Sequence, residues 1–491
     1  MTNVKTVLRG GVVMIAALSA PAQAQETLLS RLVGQIGEDS RMSWDEGRRV
    51  ETSEVYDGLR LATPGFVLNA ETLQLTPKGN RLEAEADSVV FNSKTDSSFS
   101  FEADKITLFL GSEHVRLVSK RKLPRDFCAL GAANMELTLE KARLVRNVEG
   151  GDEALLRRRD RVEKLDIEQG VEPTGTGCKL SASADMEGYE RLYSDQSGAT
   201  INALSVNFEM PGNVDTLIAG SVPEITLDLD IGGYEMRVSD GAPGVVMRDG
   251  QMSAEVLSRS AAPLLTSLIR TRGDTSLERT AAAYEAARDV VSTTRFSANA
   301  LVARVQNFMP GTMAGELSRA DLTSVIGDYD GVLSTDEAHA RLEVNGDLTG
   351  LSRTKVDLAL DLSPYQEDDF PGAGEVSLDA LGLPVSLDRL LMEQTDEGFL
   401  RAFETFTGST FSVFAALYSG KLVSEIPEPL RPAARFFLGR ANIFFQNSAR
   451  GGTGKARITT PTDLNLYETY LLGESRPDLI PRALKIEVTQ E

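Results

Sequence analysis

The chain has 491 residues, of which 41% are hydrophobic and 25% charged, and its formal net charge is −21. This composition can bury cores in two or three domains and excludes a disordered protein. The strong negative charge would repel nucleic acid and acidic lipid surfaces, so we expect no nucleic-acid partner.

The first 24 residues predict a cleaved signal peptide. Lys5 and Arg9 precede an uncharged stretch, and Ala22-Gln23-Ala24 has the small-x-small pattern of a cleavage site. Cleavage would remove two positive charges and bring the net charge to −23. No later window offers eighteen consecutive apolar residues, so we expect no transmembrane segment in the mature chain. The pattern predicts a periplasmic protein, with secretion as the alternative.

The mature chain contains two cysteines, Cys128 and Cys178. In an oxidising compartment an even number of cysteines favours a disulfide. A bridge between them would close a loop of about fifty residues and stabilise the fold by roughly 4 kcal/mol. Two separate buried thiols are the alternative.

Residues 25–253 predict a first β-meander region with short helices. An amphipathic helical pattern covers 26–36, and from Leu59 to Leu117 apolar and polar residues alternate with a period of two. Met135–Leu144 continues this rhythm. One face of each predicted strand is therefore buried and the other solvated.

Three segments within the strand regions predict other structures. Glu153–Leu165, with its run Arg157–Arg161 flanked by acids, predicts a short solvated helix laced with ion pairs. Gly232-Gly233 predicts a turn between two strands. The acidic segments Asp228–Asp230 and Asp328–Gly331 resemble the start of a calcium loop but lack its remaining ligands, so turns are the better interpretation.

The rest of the chain predicts four further regions: a helical insertion at 254–293, a second β region at 294–394, a Phe-rich helical hairpin at 395–450, and closing strands with a short helix at 451–491. A faint repeat relates the segment that begins Asn202-Ala203-Leu204 to the one that begins Asn299-Ala300-Leu301. Duplication of a β unit and a chance match both remain open.

No motif for catalysis, metal binding or cofactor binding is present. The only histidines are His114 and His339, which are too few for a zinc site. No G-x-S-x-G elbow occurs, and the many carboxylates select no glycosidase pair. We therefore expect no catalytic residue, no metal and no cofactor, and keep an envelope hydrolase only as a third hypothesis.

The Phe-rich block holds nine of the nineteen phenylalanines between Phe399 and Phe445. Helical spacing predicts one continuous aromatic face from Phe399 to Tyr418, followed by a second helix that is apolar on two sides. The block can plug the end of a sheet as core, or contact an apolar ligand or a partner. The candidate contact residues are Phe403, Phe406, Phe411, Phe414, Phe436, Phe437, Ile443, Phe444 and Phe445.

An exported amino terminus, two runs of alternating strands, an inserted helical segment and a hydrophobic helical pair near the carboxyl end form a layout that resembles the periplasmic β-groove proteins of the AsmA-like and YdgA-like kind in Gram-negative bacteria. The resemblance spans most of the mature chain. It implies a curved sheet whose apolar face holds lipid, with a role in envelope maintenance.

Together these features predict a mainly β protein with α insertions, built as a long curved antiparallel β-meander. The leading hypothesis is a non-enzymatic periplasmic protein that binds a lipid or other apolar envelope component in a β groove. The alternative is a structural or assembly protein that docks an envelope partner through the Phe-rich helical hairpin.

Overall fold

The computed structural model describes residues 41–79, 81–95, 99–111, 128, 135–149, 155–174, 177–212, 224–238, 241–257, 260–261, 287–304, 307, 323–336, 338–362, 385–410, 413, 431–448, 452–459, 476, 479 and 485–490. Within these ranges it contains nineteen strands and two helices. The chain divides into two compact units, residues 1–242 and 243–491.

The first unit is an antiparallel meander in which β3 to β11 pair in chain order, while β1 and β2 both pair with β3. Its strands are β1 Arg41–Ser43, β2 Glu46–Val50, β3 Ser53–Ala62, β4 Phe66–Lys78, β5 Arg81–Ser93, β6 Ser100–Gly111, β7 Met135–Glu149, β8 Leu155–Thr174, β9 Gly177–Leu192, β10 Gly198–Pro211 and β11 Glu224–Arg237.

The second unit is also an antiparallel meander, in which β12 to β19 pair in chain order. Its elements are β12 Pro243–Leu257, β13 Ser292–Ala303, β14 Val325–Asp336, β15 His339–Leu348, β16 Ser352–Leu362, β17 Val385–Asp396, α1 Phe399–Thr407, α2 Arg431–Ser448, β18 Thr453–Thr459 and β19 Lys485–Gln490.

The predicted mainly β meander with helices near the carboxyl end is confirmed, but the helix predicted at Glu153–Leu165 is wrong. This segment lies in β8, a strand of 20 residues. Its charges alternate: Arg157, Arg159 and Arg161 are exposed, whereas Asp160 is buried. Hydropathy does not reveal this alternation, because both faces of the strand carry charge at this point.

The turns predicted at Gly232-Gly233 and in the two acidic segments are also wrong. Gly232-Gly233 and Asp228–Asp230 lie inside β11, and Asp328–Gly331 lies inside β14.

The stretch between the strands that flank the predicted helical insertion is shorter than 254–293, since β12 runs to Leu257 and β13 begins at Ser292. Residues 260–261 and 287–288 are helical. The predicted helix at 26–36 lies outside the described residues, and so do residues 463–472, where the sequence predicts the short helix of the closing region.

Five residues of the first unit have positive φ in the middle of strands, one on every second strand. They are Gly58, Ser88, Lys141, Gly188 and Gly233, with φ between 47° and 66°. The flanking pairs place each of them opposite one residue of an intervening strand, so they form one line across β3 to β11. We call this line the left-handed row.

Polar side chains of the intervening strands lie over the left-handed row. Ser88 donates a hydrogen bond of 3.0 Å to Glu71, and Lys141 forms an ion pair of 3.2 Å with Asp104. A Cβ atom added to Gly188 would lie 2.6 Å from Cγ of Glu163. Ser88 and Lys141 are thus held by their cross-strand neighbours, as a strained backbone conformation requires.

The left-handed row inverts the alternation of side chains along the strands. In β4, Ala70 and Leu73 are each 3% exposed and belong to one core, although an odd number of positions separates them. Ala86 and Val89 of β5 repeat this inversion. Both halves of a strand therefore send apolar residues to the same side. We call this side, which carries Leu68 and Leu73 and the residues in register with them, the inner face.

The disulfide between Cys128 and Cys178 closes one end of the first unit, with a Cα–Cα distance of 5.3 Å. Val171, Leu180 and Met210 pack around it. The backbone N–H of Gly212 donates to the carbonyl of Cys178, and a Cβ atom on Gly212 would lie 2.2 Å from Sγ of Cys178. A glycine is therefore required at this position for the bridge to pack.

In the second unit, α2 packs on β17, β18 and β19. Phe444 is 6% exposed and Ser448 is fully buried. A Cβ atom on Gly454 of β18 would lie 2.4 Å from the carbonyl oxygen of Phe444, so the helix backbone rests directly on the strand. Buried Asp357 joins three strands by accepting hydrogen bonds from Arg341 and Arg389.

The left-handed row predicts opposite effects for alanine at two adjacent glycines. Gly233→Ala should lower the free energy of unfolding by about 2 kcal/mol, because Cβ would meet Asn202 at 2.3 Å and φ is +66°. Gly232→Ala is the matched control and should raise it by about 0.5 kcal/mol, since its Cβ makes only an ordinary contact. Urea unfolding measures both, and equal effects would contradict the row.

Candidate ligand-binding face

The inner face of the first unit changes from covered to open along the order of strands. On β3 to β6 its apolar residues form a buried core. From β7 to β11 the face stays apolar, but its side chains are only half-buried. We call these residues the open apolar field: Leu137, Leu139, Leu165, Ile167, Ala184, Met186, Leu204, Val206, Phe208, Leu227, Leu229 and Ile231.

Cross-strand register shows that the open apolar field is one surface. Leu139 pairs with Leu165, which pairs with Met186, which in turn pairs with Leu204. Directly opposite residues of antiparallel strands share a face and lie close together. The field is bounded by the buried core at β6 and by the cluster around the disulfide at the ends of β8 to β10.

The opposite face of the same strands is acidic. Exposed carboxylates alternate with the members of the open apolar field along β7, β8, β9 and β11. They belong to Glu140, Glu168, Asp185, Glu187, Asp228 and Asp230. The sheet is therefore two-sided in this half, with a charged outer surface and a partly exposed apolar inner surface.

On the far side of the left-handed row, the inner face carries an ionic cluster centred on Asp160, which is 8% exposed. Arg158 approaches the carboxylate at 2.6 Å, and Arg191 and Tyr189 donate hydrogen bonds of 2.9 and 2.8 Å. Burial raises the pKa of Asp160, but the contacts with Arg158, Arg191 and Tyr189 outweigh it and hold the pKa below the usual value of an aspartate. Asp160 is therefore ionised near neutral pH.

Arg146 adds a further positive charge to this cluster. It lies directly opposite Arg158 in the pairing of β7 with β8. Its buried Nε atom has no hydrogen-bond partner among the described residues. The inner face thus presents three arginines, Arg146, Arg158 and Arg191, against the single carboxylate of Asp160.

Two clefts lie mainly on the outer face of these strands. One, of about 430 Å³, is lined by Arg143, Arg157, Arg159 and Arg161 together with Glu102 and Glu190. The other, of about 440 Å³, has several glutamates in its lining. Cross-strand register puts neither set of charged side chains on the side of the open apolar field.

The structure separates the residues predicted for the Phe-rich contact surface. Helix α1 ends at Thr407, because Gly408 adopts φ 67° and its N–H caps the carbonyl of Glu404. The continuous aromatic face predicted from Phe399 to Tyr418 is therefore wrong. Phe403 lies in α1, and the centre of its ring is 6.2 Å from that of Phe399. Phe406 also lies in α1, but its side chain is outside the described part of the chain, as are Phe411 and Phe414.

Helix α2 contains the other predicted contact residues. Phe445 lies 6.2 Å from Phe399 of α1, and Phe444 is buried toward the sheet. Phe436 packs edge-on against Phe437, with Arg440 above its ring at 5.4 Å. Ile443 is 41% exposed. One side of α2 is thus core, and Ile443 faces away from it.

Comparison with known proteins adds no family to these observations: no protein-family model matches the chain, and no curated protein does. Among the described helices, neither combines the length and the hydropathy needed to span a bilayer.

Sequence reasoning missed the arginine cluster around Asp160 because it placed this segment on a helix. A signal was present in the sequence. Arg158, Asp160 and Val162 occupy the same set of alternate positions as Leu156. The other set of alternate positions holds Arg157, Arg159 and Arg161. The second cluster residue, Arg146, follows Ala142 and Leu144 on the apolar parity of β7. Parity alone would have placed these charges on the inner face.

Asp160→Asn should lower the free energy of unfolding by about 3 kcal/mol at pH 7, because it leaves Arg158 and Arg191 without their buried counter-charge. Because the pKa of Asp160 is lower in the folded protein than in the unfolded chain, the ionised carboxylate stabilises the fold at pH values above its unfolded pKa. This stabilisation is lost as the pH falls through the folded pKa. The difference between wild type and variant should therefore shrink below about pH 4. A pH-independent difference in urea unfolding would contradict the ionic role.

Proposed function

We propose that this chain is a non-enzymatic exported protein that binds a lipid or another apolar component of the cell envelope on the open apolar field of its first unit. The observation that carries the proposal is the half-buried state of this surface across five adjacent strands. Soluble proteins rarely leave so large an apolar patch uncovered unless it binds something.

The energetics favour an apolar ligand. Each square ångström of apolar surface left in water costs about 25 cal/mol, so covering a field of twelve aliphatic and aromatic side chains is strongly favourable. The field runs along strands of 14 to 20 residues. Such a surface suits an extended hydrocarbon chain better than a compact polar substrate.

Export to a periplasm-like space is part of the proposal. The charged, apolar and small-residue order of the first 24 residues supports it. The disulfide between Cys128 and Cys178 is compatible with an oxidising compartment. A role in envelope maintenance follows from the resemblance to the AsmA-like and YdgA-like proteins.

The test is native mass spectrometry of the purified full chain, followed by solvent extraction. We expect co-purifying lipid, or uptake of a long-chain fatty acid added to delipidated protein. Val206→Asp, in the open apolar field, should reduce uptake at least tenfold, because a carboxylate would be buried under the chain. Asn207→Asp, on the outer face of the same strand, is the control.

Circular dichroism must show that both variants are folded. A wild-type protein that neither carries lipid nor takes up the fatty acid would refute the proposal, whatever the variants do. Equal uptake by wild type and a folded Val206→Asp variant would place the ligand elsewhere.

A second candidate function, docking of an envelope partner through the Phe-rich helices, rests on the exposure of Ile443. Ile443→Glu should abolish capture of a cross-linked envelope partner without lowering the melting temperature. Phe444→Glu, one residue along α2, should instead unfold the helix from the sheet, since Phe444 is buried. Unchanged cross-linking in a folded Ile443→Glu variant would eliminate this function.

A further inference from the structure

The arginines of the inner face are arranged in a way that folding alone does not favour. Arg146 and Arg158 are directly opposite on β7 and β8, and like charges in this arrangement repel each other. Asp160 lies one inward position further along β8 and pairs with Arg158 and Arg191. Arg146 makes no ion pair with any described residue, and its Nε atom is buried.

The charges of this cluster do not balance. Among the described residues, three guanidinium groups face one carboxylate, which leaves two positive charges there without a counter-charge, on a chain whose net charge is −21. On β6 and β10, the inner-face residues that register places beside Leu144, Tyr189 and Arg191 are Phe101, Ile201 and Ala199, which offer no counter-charge. A buried polar group without a partner calls for an explanation, and an anion is a chemically sufficient one.

The cluster and the open apolar field lie on one face, on either side of the left-handed row. Val162 and Leu165 connect them along β8. From Arg158 to Ile167 is nine residues, or about 30 Å at the rise of a β-strand. A molecule with an anionic head at Arg146 and an extended hydrocarbon chain running along β7 and β8 would match both parts.

We propose that Arg146 and Arg158 bind the phosphate headgroup of an anionic amphiphile whose chains occupy the open apolar field. The proposal rests on the function proposed above and names its ligand class. Guanidinium groups bind phosphate through two parallel hydrogen bonds, and their planar fork suits this geometry. Asp160 is a positioning residue, since its carboxylate contacts both Arg158 and Arg191.

The experiment offers the delipidated full chain an equimolar mixture of dioleoylphosphatidylglycerol and dioleoylglycerol, which share their chains and differ in the phosphate headgroup. Native mass spectrometry counts each bound species. We expect at least a tenfold preference for the phospholipid, as befits charged hydrogen bonds. Arg146→Gln should reduce the preference to about twofold or less while dioleoylglycerol binding persists.

The matched control is Arg143→Gln, on the same strand but the outer face, which should retain the preference. Arg146→Gln should also keep or raise the melting temperature, because it relieves repulsion from Arg158. A misfolded variant would therefore itself count against the assignment.

The remaining outcomes are separable. Equal binding of both lipids by wild type overturns the headgroup site and leaves the proposed function standing. Loss of preference in Arg143→Gln but not in Arg146→Gln moves the anion site to the outer face and overturns the proposal. Displacement of the phospholipid by millimolar inorganic phosphate alone would indicate a free phosphate site and overturn the amphiphile. Binding of neither lipid would refute the proposed function itself.

Discussion

Side chains of a β-strand alternate between its two faces, and the first unit reverses this alternation along a single line. Positive φ at Ser88, Lys141 and Gly233, among others, shifts the parity of every strand at the same height. Without this shift the apolar residues on one half of each strand would face the outer surface. The buried core, the open apolar field and the arginine cluster therefore all depend on it.

The row also fixes which residues pair. Its two non-glycine members, Ser88 and Lys141, adopt a conformation that costs an L-residue about 1–2 kcal/mol, and each is held by a partner on the neighbouring strand. A strand displaced by one or two residues would bring other side chains into this conformation without those partners. Register is thus specified at the middle of each strand as well as at its turns.

Much of this architecture could be predicted from the sequence. Period-two alternation identified β4 to β7 because one parity is apolar, as in Leu73 and Leu75. It failed at Arg157–Arg161, where both parities are charged, and helical charge pairing became the better interpretation. The left-handed row could not be predicted, because Ser88 and Lys141 have no compositional signature and Gly232-Gly233 is also typical of a turn. Which part of the apolar face stays open depends on tertiary packing, which alternation does not encode.

The two buried aspartates show how the same ion-pair chemistry serves different ends. Asp357 lies between Arg341 and Arg389, and Arg341 also pairs with Glu343, so charges there are matched. These contacts tie three strands of the second unit together. Asp160 instead stands in a group whose described arginines outnumber its carboxylates, beside a partly exposed apolar surface. The surplus, rather than the buried carboxylate, distinguishes the first site.

The arginine run of β8 has one more consequence, which concerns the chain before folding is complete. In a meander whose strands pair in chain order, β8 is a free edge until β9 has paired with it. Unpaired edges invite association between molecules, and charged side chains oppose it. Exposed Arg157, Arg159 and Arg161 would repel the same edge of a second partly folded copy, so this run protects the growing sheet from aggregation at its longest strand.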